Sequence, residues 1–212
     1  MEESYHHKGL RRQLVDTLKV KGINDPAVLR AIGTVPRHAF MDSGFLHFSY
    51  KDQAFPIGSG QTISQPYTVA FQTQLLEVKP FEKVMEIGTG SGYQAAVLSE
   101  MKAIVYTVER QRELYLKAQR LLSELGYSMH FFYGDGYDGL PSYAPFDKIL
   151  VTAAAPEVPE NLLRQLRPGG ILVIPVGDEV QTMLRIRRVS QDEFETSRHG
   201  SFVFVPFVKG KV

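Results

Sequence analysis

Cysteine is absent from the 212-residue sequence, which excludes disulfides, thiolate nucleophiles and Cys-ligated zinc. A surplus of charge is also missing, because 24 Lys and Arg residues stand against 23 Asp and Glu residues. The positive field that draws general nucleic-acid binders to phosphate is therefore lacking. No apolar run approaches the ~20 residues that a membrane-spanning helix needs, and the start, Met1-Glu2-Glu3-Ser4, has no signal-peptide core. We expect a cytoplasmic protein without nucleic-acid or membrane partners.

The first part of the chain combines helices with irregular segments. Leu10, Leu14 and Leu18 recur every four residues and predict an amphipathic helix. Asp25-Pro26 predicts the start of a second helix, because aspartate caps helices and proline fits their first turn. The irregular stretch from Val35 to Gln61 is rich in aromatics, so we expect loops that pack over the rest of the protein.

After residue 80, short apolar strands alternate with helical stretches, which is typical of a parallel sheet in an α/β fold. Leu184 and Ile186 instead alternate with arginines, and Ser201 to Val208 is again strand-like. These segments predict antiparallel strands at the C-terminal edge of the sheet. The predicted parallel strands are Lys83 to Ile87, Ala103 to Val108, Met129 to Tyr133, Phe146 to Thr152 and Gly170 to Pro175.

The most informative segment runs from a predicted strand through a glycine loop into a helix: Val84-Met85-Glu86-Ile87-Gly88-Thr89-Gly90-Ser91-Gly92-Tyr93. Glycines allow a ligand to approach the backbone, and a helix N-terminus offers free N–H groups. A dinucleotide fingerprint would have its third glycine where Tyr93 stands, which disfavours NAD. Glu86 would repel a diphosphate but suits an ammonium or sulfonium group. S-adenosylmethionine is a ligand of that kind.

Two further acids follow the next two predicted strands. Glu109 lies 21 residues after Gly88, where a carboxylate can accept hydrogen bonds from both ribose hydroxyls. Asp135, within Gly134-Asp135-Gly136, can accept from an adenine amino group, although a turn aspartate between glycines is nearly as good an explanation. Three acids at successive strand ends favour a nucleoside-containing cation over a mere tight turn.

A second constellation precedes a predicted helix that starts at Pro66. The segment Gly58-Ser59-Gly60-Gln61-Thr62-Ile63-Ser64-Gln65-Pro66-Tyr67 offers Ser64 or Gln65 as the N-cap. A capping serine is the structural alternative to a functional one. Thr62 and Ser64 place hydroxyl donors beside a helix N-terminus, and together these form a small anion site that could hold a carboxylate.

The sequence resembles the protein-L-isoaspartate (D-aspartate) O-methyltransferase family over nearly its whole length. The Thr62-to-Pro66 segment is the most specific part of the resemblance, whereas many methyltransferases share the glycine loop. The matching segments are Val35-Pro36-Arg37, Gly58 to Pro66, Glu86 to Tyr93, Gly134-Asp135-Gly136, Pro168-Gly169-Gly170 and Phe204 to Gly210. Phe55 and Phe207 stand where many members carry leucine, a departure that affects at most the shape of the pocket.

The resemblance implies a Rossmann-like class I methyltransferase fold and a protein-repair enzyme. Such an enzyme transfers a methyl group from S-adenosyl-L-methionine to the free carboxylate of isoaspartyl residues in proteins and peptides. It implies Ser64 as the catalytic residue near the acceptor carboxylate, with Thr62 and Ile63 as further substrate-binding residues. The residues expected to bind the cofactor are Glu86, Gly88, Thr89, Gly90, Gly92, Glu109, Asp135 and Gly136.

The length fits a single domain, residues 1–212, with additions at both ends. We expect N-terminal helices and substrate-side loops over 1–80, an adenosylmethionine-binding core over 81–176 and antiparallel strands over 177–212. We also expect a monomer without a metal, and we expect the adjacent His6-His7 to be solvated.

Three alternatives to the repair enzyme remain open. The first is a methyltransferase of the same fold that acts on a small acid or a nucleic-acid base. The second is a non-catalytic module that binds adenosylmethionine and recruits isoaspartyl proteins. A nicotinamide oxidoreductase ranks last, because Tyr93 breaks its fingerprint and Glu86 would face the diphosphate.

Overall fold

The computed structural model describes residues 4–212, so Met1-Glu2-Glu3 lies outside the described residues. The helices are α1 (Tyr5–Val20), α2 (Pro26–Thr34), α3 (Pro66–Leu76), α4 (Tyr93–Glu100), α5 (Arg112–Glu124) and α6 (Glu160–Arg164). The strands are β1 (Phe55–Gly58), β2 (Gln61–Ile63), β3 (Lys83–Ile87), β4 (Ile104–Glu109), β5 (His130–Tyr133), β6 (Phe146–Val151), β7 (Leu166–Val176), β8 (Gln181–Arg188) and β9 (Phe194–Phe202). Short 3₁₀ helices span Arg37–Phe40, Ser43–Phe48 and Pro141–Tyr143.

Seven strands form one sheet in the order β5-β4-β3-β6-β7-β8-β9. The pairs from β5 to β7 are parallel, and β8 and β9 join antiparallel. From β3 the chain proceeds to β4 and β5 on one side and then crosses to β6 and β7 on the other. The strand order therefore reverses at β3, and such a reversal opens a crevice at the carboxyl ends of the strands. The mostly parallel sheet with an antiparallel C-terminal edge is as predicted.

Helices cover both faces of the sheet. On one face, Leu18 of α1 and Ile32 of α2 belong to the same buried cluster as Val84 of β3. On the other face, Leu162 of α6 packs in a second cluster with Met85. Successive β3 residues point to opposite faces of the sheet, and because both faces are covered, the strand is buried from Val84 to Ile87. Within residues 4–212, no helix combines the length and the apolar character needed to cross a membrane.

Local signals explain where several helices begin. Asp25 caps α2 as predicted, since its side chain accepts from the backbone N–H of Ala27 and of Val28. Pro66 occupies the first position of α3, also as predicted. The predicted parallel strands agree with β3 to β7 within one or two residues, except that β7 starts earlier, at Leu166.

Three expectations need correction. The strand predicted from Ser201 to Val208 is wrong for most of its length, because β9 ends at Phe202 and the chain then leaves the sheet towards Ala154, beside which Pro206 forms an isolated bridge. The stretch expected as loops contains the antiparallel hairpin β1–β2. Of the two histidines expected to be solvated, His6 is exposed, whereas His7 is only partly exposed and its ring stacks on that of His38 with 3.9 Å between centroids.

Candidate active site

A cavity open to solvent lies at the carboxyl ends of β3, β4 and β6, with about 850 Å³ of empty space including its open mouth. Three stretches of the chain supply most of its wall: residues 61–64 after the β1–β2 turn, the glycine loop, and residues 205–208 near the C-terminus. The ends of the neighbouring strands add further wall residues, among them Glu109, Gly136 and Thr152. The cavity therefore occupies the crevice where the strand order reverses, which is where open α/β sheets bind ligands.

The glycine loop passes close to the neighbouring strand end. Gly88 has φ +94°, a conformation that side chains disfavour, and an added Cβ would lie 2.5 Å from the hydroxyl oxygen of Thr152. That hydroxyl is 2.9 Å from the carbonyl oxygens of both Ile87 and Gly88, to which it can donate. Gly92, by contrast, does not line the cavity but packs against Leu122 of α5. The loop therefore needs its glycines for a backbone turn that leaves ligand space above β3.

Glu109 is placed as a receptor for hydroxyl groups. Its Oε2 accepts from the backbone N–H of Gly90 at 2.9 Å, and its Oε1 accepts from that of Gln111 at 2.8 Å. Each carboxylate oxygen can accept a further hydrogen bond. Glu109 is 5% exposed and lines the cavity, so its carboxylate presents two fixed acceptors to a ligand there.

Glu86 lies beneath the loop and does not line the cavity. The hydroxyl of Thr107 is 2.5 Å from its Oε2, and the hydroxyl of Thr89, a cavity residue, lies 2.5 Å from that of Thr107. The pKa of Glu86 is raised to about 8, because the upward effects of complete burial and, to a smaller extent, of the nearby Glu109 outweigh the lowering by the hydrogen bond from Thr107. The carboxyl is thus mainly neutral at pH 7, so direct attraction of a sulfonium is not its main effect. Its role as a cofactor residue stays a prediction. Hydrogen bonds through Thr107 and Thr89 connect its carboxyl to the cavity.

Asp135 also lies outside the cavity wall, although the adjacent Gly136 belongs to it. Its Oδ1 accepts from the backbone N–H of Tyr137 at 2.9 Å, and its Oδ2 accepts from that of Gly210 at 2.6 Å. The ring of Tyr137 stacks on Phe207, with 4.0 Å between centroids. Asp135 thus joins a turn to the C-terminal segment, and its contact with an adenine group remains a prediction.

A second cavity adjoins the first, with about 960 Å³ of empty space including its open mouth. Phe202 and Phe204 line it from one side, and Tyr67 of α3 lines it from another. Four residues line both cavities: Thr62, Ser64, Thr152 and Val205. Ser64 therefore lies at the junction between a glycine-lined cavity and an aromatic-lined one.

Ser64 does not cap α3. The N-cap position is Gln65, one of the two predicted, and its side chain makes no capping bond. Among residues 4–212, no hydrogen bond engages the hydroxyl of Ser64. The serine hydroxyl is therefore available to a ligand at the junction.

The structure brings together most of the predicted site. Eight predicted residues share the first cavity: Thr62, Ile63, Ser64, Gly88, Thr89, Gly90, Glu109 and Gly136. Sequence reasoning missed Gln94 as a cavity residue; its Nε2 donates to the hydroxyl of Thr73 at 3.0 Å, and nothing local in the sequence marks it.

The buried Arg37 packs against Tyr93, the residue at which the glycine loop ends. Its guanidinium is fully buried and lies 4.8 Å from the ring centroid of Tyr93, the first residue of α4. Burial lowers the pKa of Arg37 to about 10, so the side chain stays charged at pH 7. Burial likewise raises the pKa of Tyr93 to about 12, so its hydroxyl stays neutral.

In the described part of the chain, no group of three or more His, Asp or Glu side chains could hold a metal ion.

Known proteins resemble this chain over its whole length. The sequence model of the protein-L-isoaspartate(D-aspartate) O-methyltransferase family matches residues 9–212. The protein-L-isoaspartate O-methyltransferase of Christiangramia forsetii is 59% identical over 212 residues, covering 100% of both chains. The enzyme of the same name from Flavobacterium psychrophilum is 56% identical, again over 100% of both chains.

Two solved structures have the same fold. One is a protein-L-isoaspartate O-methyltransferase with a TM-score of 0.84 and 30% identity, covering 92% of this chain and 65% of that one. The other is a Plasmodium falciparum protein described as a protein-L-isoaspartate O-methyltransferase, in complex with S-adenosyl-L-homocysteine. Its TM-score is 0.82 at 25% identity, and the match covers 96% of this chain and 99% of that one. The predicted methyltransferase fold is confirmed.

Proposed function

The chain belongs to the protein-L-isoaspartate(D-aspartate) O-methyltransferase family, and from this premise we propose how its residues divide the work. The protein is an S-adenosyl-L-methionine-dependent enzyme of protein repair. It methylates the free carboxylate of L-isoaspartyl residues in damaged proteins and peptides, and the methyl ester then cyclises to a succinimide. The observation that carries our assignment of residues is the junction of two cavities at Ser64 and Thr152.

We assign the methyl donor to the glycine-lined cavity. Glu109 would accept hydrogen bonds from two ribose hydroxyls, for which one lone pair on each oxygen remains after the bonds to Gly90 and Gln111. Gly88, Thr89, Gly90 and Gly136 would form the wall against the rest of the molecule. The three other predicted cofactor residues do not line the cavity and would act through their neighbours. Glu86 would orient Thr107 by a hydrogen bond, and Gly92 would set the start of α4. Asp135 would hold the turn that carries Gly136.

We assign the acceptor carboxylate to the junction, beside Ser64, Thr62 and Ile63. When bound, adenosylmethionine supplies a methyl group on a sulfonium, and transfer forms a carbon–oxygen bond while the bonding pair of the methyl–sulfur bond stays on sulfur. The acceptor is already a carboxylate at neutral pH, so the chain needs no general base. No histidine lies among the described residues that line either cavity. The chain's own contribution is then orientation and exclusion of water.

A labelling experiment tests this assignment. The purified protein is incubated with methyl-labelled adenosylmethionine and either an isoaspartyl peptide or its aspartyl twin, and base-labile label is counted. Label is expected in the isoaspartyl peptide alone. Ser64→Ala should lower kcat/KM for that peptide by roughly 10- to 150-fold, the value of one hydrogen bond to a charged group. The Kd for S-adenosylhomocysteine should stay unchanged, and unaltered kinetics would remove Ser64 from the site.

The remaining expectations are proposals of the same kind. We propose one domain over residues 1–212, since a single buried cluster runs from Leu14 in α1 to Met183 in β8. We propose that it acts as a monomer without metal or nucleic acid; the near balance of 24 basic and 23 acidic residues supports the lack of a nucleic-acid partner. The lack of cysteine fits the reducing cytoplasm, where we place the enzyme.

A further inference from the structure

Helix α3, which begins two residues after Ser64, takes its N-terminal cap from a distant loop. Its own N-cap residue, Gln65, makes no side-chain cap. Instead Oδ1 of Asp52 accepts from the backbone N–H of Tyr67 at 2.7 Å, across 15 residues of sequence. A helix leaves its first N–H groups without partners inside the helix, and a carboxylate there is also favoured by the helix dipole. Asp52 therefore performs the function that the sequence pattern offers to Ser64.

Asp52 also clamps the residue next to Ser64. The amide Nε2 of Gln65 donates to Oδ2 of Asp52 and to its backbone carbonyl oxygen, at 3.1 Å each. Lys21 donates to the same Oδ2 at 2.5 Å. The Asp52 side chain is only 10% exposed, whereas that of Lys21 is 44% exposed. The bonds to Gln65 and Tyr67 are thus largely shielded from water, while the ion pair is open to solvent and weaker.

The loop that carries Asp52 is itself anchored in the interior. Nη2 of the buried Arg37 donates to the carbonyl oxygen of Gln53 at 3.3 Å. On the other side of Ser64, Ile63 is buried at the end of β2. Ser64 is therefore held between a packed isoleucine and a clamped glutamine, and its hydroxyl is spared from capping.

We propose that Asp52 is the positioning residue of the acceptor site. It caps α3 and clamps Gln65, which leaves the Ser64 hydroxyl at the cavity junction for the acceptor carboxylate. This inference deepens the proposed function and rests on it. Asp52 itself lines neither cavity, so it acts on the reaction only through the backbone around Ser64.

Asp52→Ala and Asp25→Ala form a matched pair. Asp25 caps α2 in the same manner, with Oδ1 2.7 Å from the backbone nitrogen of Ala27, and lines neither cavity. Both variants should lower the midpoint of thermal unfolding. Only Asp52→Ala should lower kcat/KM for an isoaspartyl peptide, by roughly 10- to 100-fold, with the Kd for S-adenosylhomocysteine within about threefold of wild type. Equal kinetics in the two variants would reduce Asp52 to a stabilising cap and overturn the proposal.

Coupling to Ser64 is read from a double-mutant cycle. If Asp52 acts through Ser64, adding Asp52→Ala to Ser64→Ala should change kcat/KM by less than about threefold. Multiplication of the two single effects would overturn the proposal. Asp52→Asn keeps an oxygen that can accept from the backbone N–H of Tyr67, but its NH₂ group faces Gln65 and Lys21. This variant should recover part of the lost activity. It replaces the alanine variant if that one does not fold.

Failure of the proposed function gives a different result. A wild-type protein that binds S-adenosylhomocysteine but labels no isoaspartyl peptide would overturn the acceptor assignment and this inference together. An active wild type in which Ser64→Ala is silent would overturn the role of Ser64 and its positioning by Asp52. An active wild type with a sensitive Ser64 and an insensitive Asp52 would overturn the inference alone.

Discussion

The replacement Glu86→Gln, followed over a range of pH, tests how the protein carries a buried acid beneath its cofactor loop. Glu86 is fully buried, and its Oε1 has no hydrogen-bond partner among the described residues. Burial raises the pKa of its carboxyl from 4.5 to about 8. Because the folded-state pKa lies above the unfolded one, the folded protein holds a proton that the unfolded chain has already lost in this interval. The free energy of unfolding should therefore fall as the pH rises from 4.5 to about 8 and level off above that.

The size of the effect follows from proton linkage at about 1.4 kcal/mol per pH unit. Over the interval between the two pKa values the loss is on the order of 5 kcal/mol. Glutamine resembles the protonated acid and cannot ionise, so Glu86→Gln should match wild type near pH 5 and exceed it by several kcal/mol at pH 9. The assay is urea unfolding at pH 5, 6.5, 8 and 9. Glu124→Gln, which removes a solvent-exposed carboxylate on α5, is the control and should give a small difference across the range.

The same variant separates two functions of Glu86. A neutral carboxyl that works through Thr107 and Thr89 predicts nearly unchanged binding of S-adenosylhomocysteine and adenosylmethionine to Glu86→Gln at pH 7. A loss confined to the sulfonium ligand would show that the charged form of Glu86 holds it. If Glu86→Gln and wild type show the same pH dependence of unfolding, the raised pKa is refuted.

Three further predictions concern the walls of the first cavity. Glu109→Ala should raise the Kd for S-adenosylhomocysteine by roughly 100-fold or more in calorimetry, since it removes both proposed ribose acceptors; a Kd close to wild type would contradict that role. Gly88→Ala should lower the free energy of unfolding by about 1 to 3 kcal/mol, because φ is +94° and the new Cβ would meet Thr152; an unchanged midpoint in urea would show that the loop adapts. Removing residues 209–212 deletes the hydrogen bond from the Gly210 backbone N–H to Asp135. The Kd for the cofactor should then rise roughly 10-fold, with the KM for the peptide little changed. The reverse pattern would place this segment on the acceptor side.

Local sequence was sufficient for the elements with strong short-range signals. Asp25-Pro26 and Pro66 start their helices where predicted, and the apolar runs from Lys83 and Phe146 are parallel strands. The prediction of a strand from Ser201 to Val208 was wrong because long-range contacts override the β propensity of that segment. The backbone beyond Phe202 instead pairs with Ala154, whose N–H donates to the carbonyl oxygen of Val205.

For the three predicted acids, the sequence indicates their positions in the fold but not their surroundings. The sequence predicts Glu86, Glu109 and Asp135 at successive strand ends, and all three lie there. Only Glu109 faces the cavity, whereas Glu86 is buried and Asp135 binds the backbone of the C-terminal segment. Strand position follows from periodicity, but exposure and pKa depend on what packs above each residue, which periodicity does not contain.

The parallel strands β3 to β7, the glycine loop and the family were predictable from the sequence, because short motifs and apolar periodicity are local properties. Which residue caps α3 depends instead on the tertiary structure. Asp52 reaches Tyr67 across a loop, a contact that depends on how the segment before β1 packs on Arg37 and α3. That distant cap leaves Ser64 at the meeting point of two cavities, and such a junction exists only once segments far apart in the sequence have folded together.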